Sequence, residues 1–97
     1  MKKPKLEWLP QARADLLELV AYIAADNPDA ALALLDDIEA KAENLPDHPR
    51  LYQCSARVAG LRQMVVRSNY LVLYRETPAV VEVVGVVHAR SDWRSAL

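Results

Sequence analysis

The sequence predicts an α+β domain in the order β-α-α-β-β-β. A short N-terminal strand leads into an antiparallel helical hairpin packed on a small antiparallel sheet, and a short C-terminal tail follows. Two distributions carry this reading. Ten alanines lie between Ala12 and Ala42, whereas ten of the eleven valines lie between Val58 and Val87. Alanine is the strongest helix former, and β-branched valine fits the pleated strand. Size is the third observation. A chain of 97 residues, 53% apolar, buries roughly 60–70% of its unfolded surface, which supports one core and not two. No repeat, linker or low-complexity stretch interrupts it, so residues 1–97 form one domain.

Each element has a local reason. Lys5-Leu6-Glu7-Trp8-Leu9 alternates apolar and charged side chains, as a short strand does. Pro10 then stands where a first helical turn tolerates proline. Ala12, Leu16, Leu19, Val20 and Ile23 make one apolar stripe at helical spacing. Asp26-Asn27-Pro28 ends this helix and begins another, with Asn27 as N-cap and Pro28 at the first position. The second stripe is Ala31, Leu35, Ile38, Ala42 and Leu45, with Asp36, Asp37, Glu39 and Glu43 largely outside it, and Pro46-Asp47-His48-Pro49 ends the helix. So tight a connection makes the two helices an antiparallel hairpin. After a loop from Arg50 to about Ala56, Leu61–Arg67 and Tyr70–Arg75 read as strands around a Ser68-Asn69 turn. Thr77-Pro78-Ala79 is the next turn. Val80–Val87 is nearly all valine, as befits a central strand covered on both faces. Ala89–Leu97 is a polar tail with room for one helical turn.

A turn at Ser68-Asn69 fixes which side chains meet. It sets Arg67 against Tyr70, Val65 against Val72, Gln63 against Tyr74 and Arg62 against Arg75. Met64, Val66, Leu71 and Leu73 then face the helices, with Arg62 and Arg75 at the far end. Gln63, Val65, Arg67, Tyr70, Val72 and Tyr74 face outward, where Tyr70, Val72 and Tyr74 form an aromatic–apolar groove suited to an amphipathic helix. Two facing arginines need an anion between them. Either Glu7, Glu76 or a helical carboxylate supplies it, or the pair binds a phosphate or a partner's carboxylate.

Charge is divided along the chain. Residues 1–49 carry five Lys/Arg against ten Asp/Glu, and residues 50–97 carry seven arginines against three acids. Such asymmetry suits a face that meets an anionic partner, or an arginine-rich sheet that pairs with its own acidic helices. A single cysteine, Cys54, excludes an internal disulfide and any multi-cysteine zinc site. With it goes the expectation of a reducing cytoplasm. The basic start Met1-Lys2-Lys3-Pro4-Lys5 precedes no apolar core of a secretory signal, and no apolar run reaches the ~20 residues of a membrane span. His48 and His88 lie forty positions apart with no matching cluster, so no metal is expected. Nor is a cofactor, since Gly60 and Gly85 are the only glycines and cannot make a phosphate loop. His88, at the end of the valine strand, is either a general acid or base or a hydrogen-bonded structural residue. Trp8 and Trp93 read as core or tail-docking residues.

Several pieces in order carry a family resemblance: Trp8-x-Pro10 with Ala12 and Asp15-Leu16, then Tyr22-Ile23-Ala24 with Asn27-Pro28, and Ile38 to Leu45 before His48-Pro49. Gly60-Leu61-Arg62 follows, then Asn69-Tyr70 with Tyr74-Arg75, and finally Val86-Val87-His88-Ala89-Arg90 with Trp93. The pattern resembles the RelE/ParE superfamily of bacterial toxins from type II toxin–antitoxin modules. That resemblance implies a cognate antitoxin, disordered in part until it wraps the toxin on the exposed sheet face or on the apolar stripe between the helices, with Tyr70, Val72, Tyr74, Arg75 and Trp93 as candidate contacts for antitoxin or target. It leaves two targets. In the RelE branch, ribosome-dependent endonucleases of mRNA place lysines where this chain has Gln63 and Val65, and arginines where it has Leu71 and Ala89. Those groups would stabilise charge on the cleaved phosphate, so their absence counts against RelE-like cleavage. Other nuclease branches use a histidine near the C-terminus, and His88 with Arg62, Arg67 and Arg90 is the matching catalytic set. The ParE branch poisons DNA gyrase by protein contact and needs no catalytic residue. The His88-x-x-x-Asp92 ending resembles ParE more than RelE, and a sequence pI near 6.1 suits RNA poorly. ParE-like gyrase inhibition is therefore the preferred expectation, with mRNA cleavage the alternative.

Overall fold

A computed structural model describes residues 4–55 and 58–90. It contains β1 (Lys5–Trp8), α1 (Pro10–Ala24), α2 (Pro28–Glu43), β2 (Arg62–Val66), β3 (Tyr70–Glu76) and β4 (Val80–His88), the expected β-α-α-β-β-β order. Helix boundaries follow the sequence signals. Pro10 opens α1, and Asn27 caps α2 by accepting the Ala30 N–H at 3.1 Å. Asp29 in the first turn of α2 and Lys41 in the last complement the helix dipole.

The sheet order is β1-β4-β3-β2. It is mixed rather than wholly antiparallel. β1 runs parallel to β4, from Lys5 opposite Val80 to Trp8 opposite Val83, while β2–β3 and β3–β4 are antiparallel. The reason is topological: two helices carry the chain from β1 back across the sheet before β2 begins, so β1 and β4 meet with the same sense. β4 lies inside the sheet, as its valine-rich run suggests. It bulges where Leu73 faces Gly85 but Tyr74 faces Val83, leaving Val84 as an extra residue. The bulge reverses side-chain parity. Val81 and Val83 point into the helical core before it, and Val86 does so after it.

That core joins Ala12 and Leu16 of α1, Leu34, Ile38 and Ala42 of α2, and Met64, Val66, Val72, Tyr74, Val81, Val83 and Val86 of the sheet. Full burial of a side chain such as Ile38 contributes about 1.5–3 kcal/mol. In α2 the buried stripe runs through Leu34, with Leu35 only half-buried. Ala31, Leu34, Ile38, Ala42 and Leu45 fit the helical period as well as the set expected with Leu35.

The β2–β3 hairpin corrects the expected register. Arg62 faces Tyr74, Met64 faces Val72 and Val66 faces Tyr70. The turn is three residues, Arg67 to Asn69, with positive φ at Arg67 (53°) and Ser68 (65°). One residue of slip exchanges the two faces of β3. Val72 and Tyr74, expected in an outward groove, are fully buried against the helices, while Leu71 and Leu73 lie on the opposite face. No groove of Tyr70, Val72 and Tyr74 exists.

Beyond Pro46–Pro49, residues 53–55 run beside the edge of β2. Gln63 donates its N–H to the Gln53 carbonyl at 3.1 Å, and Ser55 donates its own to Leu61 at 2.7 Å. That pairing shields an edge otherwise open to association.

Candidate functional site

The two ends of β3 hold different clusters. At the Glu76 end, the Tyr74 hydroxyl donates to the Pro49 carbonyl at 2.9 Å, and Tyr52 meets its ring edge-on at 6.5 Å. Arg62 donates from Nη1 to the Tyr52 carbonyl at 2.7 Å. Burial pushes the Tyr74 hydroxyl above its ordinary pKa of 10.0, against a smaller opposing pull from the Arg62 charge. These groups pin the 49–52 loop onto the sheet.

At the Tyr70 end, Tyr70 and His88 stand edge-to-face with ring centroids 5.5 Å apart. His88 Nδ1 accepts the Arg90 N–H at 3.1 Å, and Ala89 donates its N–H to the Asn69 carbonyl at 2.7 Å. Arg67 is held by Asp37 of α2 at 3.0 Å. The expected catalytic set is thereby divided. Arg67, His88 and Arg90 belong to this end, whereas Arg62 lies opposite Tyr74, four residues along β3 from Tyr70. At about 3.3 Å per residue that separation is roughly 13 Å along the strand. Arg75 does not face Arg62. It faces Glu82 across the ladder, and its Nε meets the Glu82 carboxylate at 2.7 Å on the surface away from the helices. The anion expected between two arginines is thus Glu82, serving Arg75 alone. Trp93 lies outside the described residues.

The surface away from the helices is the larger feature, and hydrophobic periodicity in one strand did not expose it. Leu61, Leu71 and Leu73 are themselves buried there in a second apolar cluster with Val58, Val84, Val87 and Ala89, while Val65 beside Leu71 remains 45% exposed. The signal available was the valine run of β4, which implies cover on both faces. No group of three or more His, Cys, Asp or Glu side chains among the described residues could hold a metal ion. A cavity of about 360 Å³ lined by Pro4, Arg50, Glu76, Thr77 and Pro78 has its charges already joined, Arg50 to Glu76 at 3.1 Å. Among the described residues no helix is long and apolar enough to cross a membrane. Among the described residues the face away from the helices combines a buried apolar cluster, the exposed Val65 and the Arg75–Glu82 ion pair.

The profile of the family described as "ParE toxin of type II toxin-antitoxin system, parDE" matches residues 6–93. The Sinorhizobium fredii (strain NBRC 101917 / NGR234) protein Y4kP, whose name marks it only as a candidate toxin, is 30% identical over 98 residues, covering the whole of both chains. A solved chain described as "Chromosomal ParDE TA system from P. aeruginosa" superposes with a TM-score of 0.80 at 18% identity, covering 89% of this chain and 96% of that one. At that identity the superposition speaks for the fold, and the profile with the full-length relative speaks for descent: the chain belongs to the ParE toxin family of type II toxin–antitoxin systems.

Proposed function

We propose that this protein inhibits bacterial growth in the cytoplasm by binding DNA gyrase, and that a cognate antitoxin neutralises it by tight binding. The observation that carries this reading is the division of the would-be catalytic set. Arg62 donates to the Tyr52 carbonyl and Arg67 to Asp37, while His88 Nδ1 accepts the Arg90 N–H. An enzyme that cleaves RNA needs unspent donors converging on one phosphate, and two of the four candidates, Arg62 and Arg67, are already engaged at different ends of the β2–β3 hairpin. The antitoxin reading rests on family membership and on the second apolar cluster. A segment that is partly disordered when free would fold over Val65 and Val87, bordered by Arg75, with Tyr70 and His88 at the end of the same strands. Coupled folding of this kind lets a short chain cover a large surface.

Pulse-labelling of DNA and protein synthesis in the minutes after induction tests the target. DNA synthesis should stop first, with DNA-damage signalling, and His88→Ala should stay as toxic as the parent if it remains folded. Early collapse of protein synthesis, with toxicity lost in folded His88→Ala, would return the protein to mRNA cleavage.

A further inference from the structure

We propose that the Glu76 end of the sheet is where this protein grips its target, receiving a short protein loop that carries a carboxylate beside an apolar side chain. Such a site rests on the reading of an inhibitor that acts by protein contact, and gives that contact a place past Arg75, at the border of the antitoxin face. Three stretches of chain converge there. Pro4 ahead of β1, Arg50 of the loop after α2, and Glu76, Thr77 and Pro78 of the β3–β4 turn line a cavity of about 360 Å³. That volume lies near the lower bound of preformed clefts and suits one or two side chains. Pro4 and Pro78 give it rigid walls that lose little freedom when covered. Thr77 is already engaged, its hydroxyl bonding the Val80 carbonyl and N–H at 2.9 and 3.0 Å.

Charge and exposure choose the occupant. Arg50 meets Glu76 through Nε, at 3.1 Å, and its side chain is 78% exposed. Among the described residues neither Nη group makes a hydrogen bond, so the guanidinium is fixed along one edge and open along the other. Two parallel Nη donors match a carboxylate. Lys5, exposed directly after Pro4, adds a second cation beside it, and a basic partner would be repelled. Leu51, next along the loop, is 68% exposed. It cannot turn inward, because the backbone on both sides is pinned. Tyr74 holds the Pro49 carbonyl, Arg62 holds the Tyr52 carbonyl, and Leu51 gives its own N–H to His48 at 3.1 Å. An apolar side chain held ready in this way binds without a further ordering cost. A small free anion would answer Arg50 and leave Leu51 in water, whereas a loop with an acidic and an apolar residue answers both.

The test follows growth arrest on induction, thermal melting and calorimetric affinity for the cognate antitoxin in each variant of the full chain. Arg50→Glu and Leu51→Asp should each raise the protein level needed for growth arrest by ~10-fold or more, the scale of a lost contact hot spot. Both should melt within a few degrees of the parent, since the positions are exposed and a surface ion pair contributes little. Antitoxin affinity should stay within ~2-fold of the parent, on the same scale of near-neutral positions. Leu51→Met should arrest growth as the parent does, and Arg50→Lys, which keeps the charge without the fork, should fall between parent and Arg50→Glu. Undiminished growth arrest by Arg50→Glu or Leu51→Asp would overturn the proposal. A parallel loss of antitoxin affinity would overturn it as well, by giving this end to the antitoxin. Supercoiling by purified gyrase separates the two readings: a parent protein that leaves it untouched would sink gyrase as target, while the contact site would still stand or fall by the growth of the variants.

Discussion

Asp15 of α1 accepts the backbone N–H of Val86 at 3.2 Å, joining residues 71 positions apart. β1 pairs with β4 only as far as Val83, and Leu9 adds one more bond from its N–H to the Val83 carbonyl at 3.0 Å. Past that point no strand among the described residues pairs with the side of β4 away from β3, and Asp15 takes the place of one. Gln11 steadies the carboxylate by donating to its other oxygen at 2.8 Å. Asp15→Ala should therefore cost about 1–2 kcal/mol in urea denaturation, the range for a half-buried N–H that loses a charged acceptor. Asp15→Asn keeps an acceptor and should recover at least half of that. Equal losses in the two variants would mean that the Val86 contact is not what the residue supplies.

Tyr74 makes alkaline stability a readout of core geometry. Burial raises its pKa above 10.0, so the folded state keeps the phenolic proton after the unfolded state has lost it. The sign follows: this contribution is whole below pH 10 and is lost as pH climbs from 10 through the folded-state value. Tyr74→Phe should flatten the stability profile in that window and cost about 1 kcal/mol at neutral pH through the lost bond to Pro49. Absorbance titration should show a tyrosine step above pH 10 that vanishes in the variant.

Two aspartate substitutions separate surface from core on neighbouring strands. Val72→Asp buries an unpaired carboxylate against the helices and should remove about 4 kcal/mol or more, enough to unfold a small domain. Val65→Asp changes an exposed position on the opposite face and should melt within a few degrees of the parent. Antitoxin affinity, read by calorimetry, should nevertheless fall by ~10-fold or more for Val65→Asp. Full affinity in that variant would move the antitoxin off this face.

Turn strain gives a stabilising prediction. Ser68 holds a φ of 65° without a glycine's freedom, a conformation that costs a side-chain-bearing residue about 1–2 kcal/mol. Ser68→Gly should raise stability by about 0.5–1 kcal/mol, after the greater entropy of a glycine in the unfolded chain is set against it. Arg67→Gly is the poorer choice because it also removes the bond to Asp37. Thermal melts of the two variants should rank in that order.

Element order was legible because each helix is marked by a proline at its start and each stripe by its own spacing. The Pro10 and Asn27-Pro28 boundaries needed no tertiary information. The hairpin register did, and the candidate site fell with it. Arg67 and Ser68 adopt left-handed backbone without the glycine that usually announces it, and Ser68-Asn69 offers a more ordinary two-residue alternative. Local turn chemistry could not choose between them; the observed register is the one in which Tyr74 reaches the Pro49 carbonyl and meets Tyr52 edge-on. Each candidate of alternating parity, Val72 and Tyr74 above all, then changed sides together. Tyr70 and His88 do meet, at the shared end of β3 and β4. The valine run foretold that β4 is covered twice, but not that a bulge at Val84 divides its side chains between two clusters.

The parallel pairing of β1 with β4 has a kinetic meaning. Lys5 finds its partner only at Val80, so most of the chain must exist before the first strand has a place to go. Contacts this far apart in sequence close late and slowly, because the loop entropy is spent before any ladder bond returns it. The helical hairpin, whose contacts are local, can form early and wait. Until β4 arrives, the hairpin's inner stripe and the valines destined for it are exposed to any chaperone, protease or binding partner present. Synthesis of this toxin therefore has a built-in delay before completion of its fold, an interval in which capture competes with folding.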